Sequence, residues 1–198
     1  MRNYTNIDKY LDGLALDVYP QPPDPGHSQL ALESIQWIDG LTNGLKSVLD
    51  LGCGEGFCQT YFEGVGLEYT GVCLQTDFHQ ARDKGRNVFD IDYSFLPFED
   101  SSYDLLFSRH SLEHSPFPLL TLMEWHRVCN KHLALILPAP EYWGKVGRNH
   151  YFVLERDQWV ALLDVAGFNL IHETTKSQLM IPAHGEETTE YWFLLEKK

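Results

Sequence analysis

The stretch SVLDLGCGEGF, residues 47–57, decides the fold of this 198-residue chain. Its apolar run, residues 48–51, is short and bounded, as in a parallel strand that is buried on both faces. Glycines follow at positions 52, 54 and 56, and the pattern then predicts a helix over residues 57–63. A strand, a glycine-rich turn and a helix bring bare backbone N–H groups close to a nucleotide-like ligand. The stretch therefore predicts a binding turn at the start of an α/β sheet.

The glycine spacing narrows the kind of ligand. Dinucleotide-binding turns follow G-x-G-x-x-G, whereas this turn reads G-x-G-x-G and is preceded by Asp50. That pattern resembles motif I of the class I S-adenosylmethionine (SAM)-dependent methyltransferases, although an ordinary glycine-rich βα turn would also fit it. The resemblance implies that Asp50, Gly52, Cys53, Gly54 and Gly56 lie around the methionine end and the ribose of SAM.

Two later stretches resemble the type 11 methyltransferase family. Residues 92–104, DYSFLPFEDSSYD, are similar to that family's D-x-x-x-L-P-F-x-D-x-S-F-D, and residues 162–168, LLDVAGF, are similar to its L-L-x-x-A-G-F. The resemblance extends over residues 28–196. It implies that Asp92 and Tyr93 lie near the adenine of SAM.

The second predicted strand, residues 67–73, ends in Cys73 where the family usually has an acid. In the family that acid hydrogen-bonds the ribose hydroxyls, and a thiol is a weak acceptor. The resemblance places Cys73, Leu74 and Gln75 beside the cofactor. The acceptor for the ribose would then be Gln75, Asp77 just beyond it, or the backbone.

The fourth predicted strand, residues 103–107, leads into SRHSLEHS, residues 108–115. Ligands bind at the carboxyl edge of an open parallel sheet, so we expect Ser108 at the cofactor and His110, Glu113 and His114 at the reaction site. Two histidines four residues apart would share one face of a helix as metal ligands, but no further ligand is recognisable and no metal site is predicted. The other two roles are general base or substrate contact, and a structural role in the loop.

Acceptor contacts are expected after the fifth strand. Trp143, Asn149, His150 and Tyr151 lie in a stretch that type 11 relatives use to shape the acceptor site, and His150 is a further candidate base. An aromatic-anchored surface loop is the alternative for this stretch.

Seven predicted strands alternate with helices, as in a doubly wound, Rossmann-like α/β sheet with helices on both faces. The family order implied is 3-2-1-4-5-7-6, with the last strand antiparallel. Residues 28–198 would form the methyltransferase domain, beginning with a helix over 28–40, and strands 168–173 and 190–196 would end it, with 176–189 unassigned. Residues 1–27, with prolines at 20, 22, 23 and 25, would form an extended arm or a lid.

Composition limits the partners. The formal net charge is −13, which argues against a nucleic-acid partner, and no apolar run is long enough to span a membrane. We see no signal peptide and no C-x-x-C pair, so a cytoplasmic location is expected. The resulting hypothesis is SN2 methyl transfer from SAM to O, N or C of a small-molecule acceptor. The sequence does not specify the oligomeric state of the protein. The alternative is a non-catalytic methyltransferase-like domain that binds a ligand or a partner.

Overall fold

The structure is a computed structural model that describes residues 4–18, 25–144, 149–180 and 186–198. Its helices are α1 (Tyr4–Val18), α2 (Pro25–Leu41), α3 (Gln59–Gly64), α4 (Gln75–Asp83), α5 (Pro118–Val128), α6 (Pro140–Trp143) and α7 (Arg156–Val165), and Leu112–His114 forms a single 3₁₀ turn. Its strands are β1 (Ser47–Leu51), β2 (Glu68–Cys73), β3 (Val88–Asp90), β4 (Tyr103–Arg109), β5 (Cys129–Pro138), β6 (Phe168–Met180) and β7 (Glu186–Lys197). Among these described helices, none has the length and apolar character that crossing a membrane requires.

The seven strands form one sheet in the order β3-β2-β1-β4-β5-β7-β6. Strands β1 to β5 pair in parallel, and β7 is antiparallel to both β5 and β6. The predicted fold class, strand order and orientation of the last strand are therefore confirmed. The order reverses between β1 and β4, and ligands of open α/β sheets bind at such a reversal, outside the carboxyl ends of the strands. This places the glycine turn beside the segment that follows β4.

Helices cover both faces of the sheet, as the sequence predicts. Successive residues of a strand point to opposite faces. On one face Leu49 packs in a cluster with Trp125 of α5 and Trp159 of α7. On the other face Val48 packs in a cluster with Phe62 of α3 and residues of α2. The central strands are thus buried on both sides and hold the edge that carries the site in a fixed position.

The N-terminal region contains more helix than the sequence analysis predicts. α1 occupies residues 4–18 of the predicted arm or lid, and α2 begins at Pro25 instead of residue 28. Pro25 and Gly26 were assigned to an extended connector, but they lie in the first turn of α2. Proline suits that position because the N–H it lacks would have no acceptor within the helix. Residues 19–24, with the other prolines of the connector, lie outside the described residues, and the division into an arm and a domain stays a prediction.

β6 and β7 are longer than predicted. β6 continues to Met180 and β7 begins at Glu186, with these two residues paired in register. Much of the unassigned stretch 176–189 is therefore strand, and residues 181–185 lie outside the described part. The added segments carry threonine at 174, 175, 188 and 189. This β-branched residue favours strand conformation, while its polarity weakens the apolar alternation by which strands are recognised in a sequence.

Candidate active site

The turn after β1 is shaped by its glycines. Gly52, Gly54 and Gly56 all adopt left-handed backbone angles, with φ of 75°, 54° and 70°. A Cβ on Gly52 would lie 2.2 Å from Oγ of Ser111, so only glycine fits against that side chain. A Cβ on Gly54 would have no neighbour closer than Oδ2 of Asp77, at 3.8 Å. The turn is therefore closed against the β4 side at Gly52 and open toward α4 at Gly54.

Asp50 is buried beneath this turn. Its Oδ2 atom accepts a hydrogen bond of 2.9 Å from the hydroxyl of Tyr69 on β2. Burial raises the pKa of Asp50 to about 7, and the Tyr69 hydrogen bond opposes that rise. The structure thus gives Asp50 a supporting contact within the sheet, and its predicted contact with the cofactor stays a prediction.

The two cysteines predicted at the cofactor lie next to each other. Burial raises the pKa of the Cys53 thiol well above its usual range, and the neighbouring Cys73 and Asp50 act in the same direction. Cys73 is only 2% exposed and packs with Ala81 of α4 and Val88 of β3. Both side chains therefore serve as packing groups, and Cys73 is enclosed where the family has its ribose-binding acid.

Asp77 brings a carboxylate to the glycine turn from the first turn of α4. Burial raises its pKa to about 6, and the nearby Glu55 adds to the rise. Of the predicted cofactor contacts in this segment, Leu74 precedes α4 and Gln75 begins it with a left-handed φ of 54°. Strained backbone of this kind is concentrated at functional sites. The end of β2 thus offers Asp77, four residues beyond Cys73, as an acceptor beside Gly54.

Asp92 and Tyr93, predicted near the adenine, have different roles in the structure. Asp92 Oδ1 accepts a hydrogen bond of 2.8 Å from the backbone N–H of Ser94, which closes a local turn. The Tyr93 hydroxyl donates to the backbone oxygen of Ser111 at 2.8 Å, and its ring lies 3.7 Å from the position of a Cβ on Gly52. Tyr93 therefore lies along the glycine turn, as a contact of a nucleoside would.

Ser108 lies at the end of β4 with no exposed surface. Within the described residues its hydroxyl has no hydrogen-bond partner. A buried hydroxyl without a partner is uncommon and costs about 1–3 kcal/mol unless another group satisfies it. A polar ligand that lies across the turn could bond this hydroxyl and the carboxylate of Asp77. The open space beside Gly54, here called the cradle, would admit it.

His110 follows β4, and its imidazole contacts the buried carboxylate of Glu190, which is paired with Arg109. Its Nε2 atom lies 2.8 Å from Oε1 of Glu190 on β7, and Arg109 Nη2 lies 2.5 Å from the same oxygen. Trp192 Nε1 donates to Oε2 of Glu190 at 2.8 Å. Burial would raise the pKa of Glu190, but His110, Arg109 and Trp192 outweigh it and lower that pKa to about 2. Glu190 is therefore a carboxylate with three donors, and it orients the imidazole of His110.

Glu113, His114 and His150 form a second cluster beside His110. Their ligand atoms all lie within 4.8 Å of one another, and the two imidazole rings have their centroids 4.8 Å apart. Burial raises the pKa of Glu113 to about 8 and lowers that of His114 to about 4. Nδ1 of His114 lies 2.9 Å from the backbone oxygen of Asn149. The structure thus brings together the four residues predicted to be catalytic, because Nδ1 of His110 is 3.8 Å from Oε1 of Glu113.

The possibility that His110 and His114 share one face of a helix is wrong. Residues 112–114 form a single 3₁₀ turn, and His110 precedes it with a left-handed φ of 49°. The two side chains therefore diverge, His110 toward Glu190 and His114 toward Asn149. Of the predicted acceptor contacts, Asn149 and Tyr151 are half-buried, and Trp143 is the last residue of α6.

Glu190 and Ser111 are site residues that the sequence analysis missed. Glu190 is the acid that directly precedes the apolar run YWFLL, residues 191–195. An acid directly before a long apolar run was a signal that could have been used, since such groups are seldom buried unless paired. Ser111 gave no comparable signal, because its contact with Gly52 depends on β1 and β4 being neighbours.

Comparison with known proteins finds similarity to methyltransferases over about half of the chain. The family model described as a methyltransferase domain matches residues 49–137, which extend from β1 to the end of β5. An uncharacterized methyltransferase of Mycobacterium sp. (strain JLS) is 31% identical over 118 residues, covering 56% of this chain and 47% of that protein. The sarcosine/dimethylglycine N-methyltransferase of Aphanothece halophytica is 30% identical over 117 residues, covering 52% and 42%. The matched part thus spans about half the length of these curated relatives.

Solved structures show the same fold. The magnesium protoporphyrin IX methyltransferase of Synechocystis PCC 6803, solved with bound S-adenosylhomocysteine (SAH), superposes with a TM-score of 0.69 over 99% of this chain and 96% of its own. The two sequences are only 16% identical, so this likeness concerns the fold alone.

Proposed function

We propose that this chain is a class I methyltransferase and transfers a methyl group from SAM to O, N or C of a small-molecule acceptor. The observation that carries the proposal is the glycine turn. Its first glycine is packed against Ser111, while Gly54 leaves a cradle beside the carboxylate of Asp77. That cradle lies where the strand order reverses, which is the usual ligand position in such sheets.

The residues around the turn would hold SAM from three sides. Backbone at Gly54 would approach the ligand closely, Asp77 would accept hydrogen bonds from the ribose hydroxyls, and Tyr93 would contact the nucleoside. The hydroxyl of Ser108 would find a polar partner. When bound, SAM supplies a methyl carbon attached to a sulfonium, which is a good leaving group. The chain must therefore align the acceptor and exclude water rather than activate the donor.

His110 would take the proton of an acceptor that carries one. Burial lowers its pKa, although Glu190 opposes this, and the lowered pKa favours the neutral imidazole, which is the form that accepts a proton. A neutral His110 donates its Nε2–H to the ionised Glu190, and this tautomer has its basic lone pair on Nδ1. Glu190 is then the positioning residue for the base.

The acceptor class is inferred from charge and from one relative. The net charge of −13 disfavours a polyanionic acceptor such as RNA or DNA. The similar protein from Aphanothece halophytica is named for methyl transfer to sarcosine and dimethylglycine, which are small molecules. Both observations favour a small metabolite over a macromolecule.

The four cysteines support the cytoplasm as the location of this reaction. Cys53, Cys58, Cys73 and Cys129 are all free thiols. Thiols persist in the reducing environment of the cytoplasm, whereas secreted proteins usually contain disulfides.

The test is transfer of labelled methyl groups to separated cell fractions. The chain is incubated with methyl-labelled SAM and with a small-molecule fraction, an RNA fraction or a protein fraction. We expect label in the small-molecule fraction, and less label with the Asp77→Asn variant. Label that appears only in RNA or protein would overturn the assignment of the acceptor.

The enclosed Cys73 also supports a second candidate, a methyltransferase-like domain that binds a ligand or partner without turnover. The acid that the family has at this position is absent, and the thiol that replaces it is buried. Binding of SAM with no transfer to any of the three fractions would favour this second candidate.

A further inference from the structure

We propose that Glu113, His114 and His150 form a binding site for a divalent transition-metal ion, with Zn²⁺ as the expected occupant. The three side chains offer one carboxylate oxygen and two imidazole nitrogens, all within 4.8 Å of one another. The cluster lies outside the glycine turn and contains none of the residues proposed to hold SAM. The proposal therefore stands or fails independently of methyl transfer.

The carboxyl group of Glu113 is buried, and Nδ1 of His110 lies 3.8 Å from its Oε1 atom, beyond hydrogen-bond distance. Glu113 has no exposed surface, and within the described residues neither of its oxygens has a hydrogen-bond partner. The neighbouring cation, Arg109, is bonded to Glu190 at 2.5 Å. A buried carboxyl group whose oxygens lack hydrogen bonds is unfavourable, and such groups are normally paired or bound to a metal. A divalent cation between Glu113 and the two imidazoles would satisfy it.

His114 is oriented as a metal ligand would be. Its Nδ1 lies 2.9 Å from the backbone oxygen of Asn149, and a carbonyl can only accept. Nδ1 must therefore carry the hydrogen, and the lone pair of the neutral imidazole is on Nε2. Ligating histidines commonly donate their second N–H to a carbonyl or carboxylate in this way, which fixes both the tautomer and the ring orientation.

His150 is held beside His114 by the backbone on both sides of it. The oxygen of Asn149 accepts from His114, and the N–H of Phe152 donates to the backbone oxygen of Glu113 at 3.1 Å. These two hydrogen bonds tie the segment 149–152 to the 3₁₀ turn that contains Glu113 and His114. Two ligands adjacent in the chain thus meet a third from a distant segment that is fixed against them.

Two histidines and one glutamate match the chemistry of zinc. Zinc sites that bind substrates commonly have three protein ligands of this type and an open fourth position. In a tetrahedral zinc site with ligand distances of about 2.0–2.1 Å, the donor atoms lie about 3.3 Å from one another. The ligand atoms of this cluster lie within 4.8 Å of one another. The widest separation must therefore shorten by about 1.5 Å when the ion binds. The half-buried imidazoles of His114 and His150 give an ion a path from solvent.

The experiment is metal binding by the purified chain of 198 residues. The chain is treated with a chelator, dialysed and titrated with Zn²⁺ by calorimetry, and with Co²⁺ by visible absorption. We expect one ion per chain, and the d–d bands of a Co²⁺ site with nitrogen and oxygen ligands. Glu113→Gln, His114→Ala and His150→Ala should each weaken Zn²⁺ binding at least tenfold, while His172→Ala, which removes an exposed histidine on β6, should leave it unchanged.

A readout of stability separates loss of the site from loss of the fold. Zn²⁺ should raise the melting temperature of the unaltered chain and of His172→Ala, but not that of Glu113→Gln. The metal-free Glu113→Gln variant should melt close to the metal-free parent, since the amide has nearly the size and shape of the carboxyl group. The proposal is overturned if the chain binds no stoichiometric Zn²⁺, if His150→Ala binds it as well as the parent, or if Co²⁺ gives the sulfur charge-transfer bands of a cysteine site.

Discussion

The Nε2 atom of His110 lies 2.8 Å from Oε1 of Glu190, although 80 residues separate the two in the sequence. His110 follows β4, and Glu190 lies on β7 opposite Pro138 of β5. The contact thus joins three strands at the edge of the sheet that carries the site. Arg109 binds the same oxygen, so Glu190 compensates the positive charge of that guanidinium while it orients the imidazole.

Glu190→Gln should destabilise the fold. The amide keeps the shape of the side chain but leaves Arg109 without its counter-charge, and its NH₂ group cannot accept the hydrogen bonds that Glu190 accepts. Breaking a buried ion pair by removing one partner costs about 3–5 kcal/mol. We therefore expect the free energy of unfolding, measured by urea denaturation, to fall by about 3 kcal/mol.

The matched control for this variant is Glu196→Gln. Glu196 is an exposed residue of the same strand, and its substitution should change the unfolding free energy by less than about 0.5 kcal/mol. Equal effects of the two variants would contradict the buried ion pair.

Gly52→Ala should be more destabilising than Gly85→Ala, although both glycines have a left-handed φ, of 75° and 70°. A Cβ at Gly52 would overlap Ser111, whereas a Cβ at Gly85 would meet nothing within 4 Å. Backbone strain alone costs about 1–2 kcal/mol, and overpacking adds about 1–3 kcal/mol. The free energy of unfolding, measured with urea, should therefore be at least about 1 kcal/mol lower for Gly52→Ala than for Gly85→Ala.

Ser111→Gly tests the same contact from the other side. In a Gly52→Ala/Ser111→Gly double variant the overlap is removed, so the two substitutions should not be additive and the second should recover part of the stability lost to the first. Strict additivity would show that the close approach of Gly52 and Ser111 does not limit this turn.

Asp50→Asn should stabilise the protein above pH 7. The pKa of Asp50 is raised from 3.8 to about 7, so between these values the folded chain retains a proton that the unfolded chain releases. The contribution of Asp50 to the free energy of unfolding therefore falls as the pH rises from about 4 to 7 and is constant above that range. The amide that replaces the carboxyl group does not titrate. At pH 8 the free energy of unfolding of the variant should therefore be up to about 4 kcal/mol higher than that of the parent.

Urea midpoints of both chains between pH 4 and pH 8 measure this effect. The two curves should be closest at the acidic end and diverge as the pH rises. Asp39→Asn, at an exposed position of α2, should follow the parent throughout. A constant difference between Asp50→Asn and the parent would mean that Asp50 titrates normally.

Asp77→Asn should weaken the binding of SAH. A hydrogen bond to a charged group contributes about 1.5–3 kcal/mol, which corresponds to a loss of about ten- to a hundredfold in affinity at pH 7.5. Because the pKa of Asp77 is raised to about 6, the parent chain should also lose affinity as the pH falls below that value. Asp83→Asn changes an exposed acid of the same helix, and calorimetry at pH 7.5 should show that it binds SAH as tightly as the parent does. Equal SAH affinities for Asp77→Asn and the parent would remove Asp77 from the ribose site.

The alternation of strands and helices could be predicted from local patterns, and the strand order followed from the resemblance to one family. Short apolar runs mark buried parallel strands, and the glycine turn with the L-P-F stretch resembles one family closely. The start of α2 was missed because prolines at 20–25 indicate an extended chain, although Pro25 can begin a helix. α1 was missed because residues 4–18 were assigned to the same arm, although they contain no proline. The extension of β6 and β7 was missed because its sequence is polar.

The composition of the site was less predictable than its location. The sequence placed His110, Glu113, His114 and His150 near the same edge but could not pair His110 with Glu190 or His114 with Asn149. Those contacts join residues 80 and 35 positions apart and depend on the packing of β7 and of the segment before α7. The sequence analysis named Asp77 as one of three alternatives for the ribose acceptor, and its position beside Gly54 becomes visible only when α4 is placed against the glycine turn.

The most direct test of the account is calorimetric titration of the purified chain with SAH at pH 7.5. We predict saturable binding of about one SAH per chain with a dissociation constant in the micromolar range, competition by SAM, and weaker binding by Asp77→Asn. A folded chain that shows no binding of SAH or SAM at millimolar concentration would contradict the central claim that the glycine turn at residues 52–56 holds this cofactor.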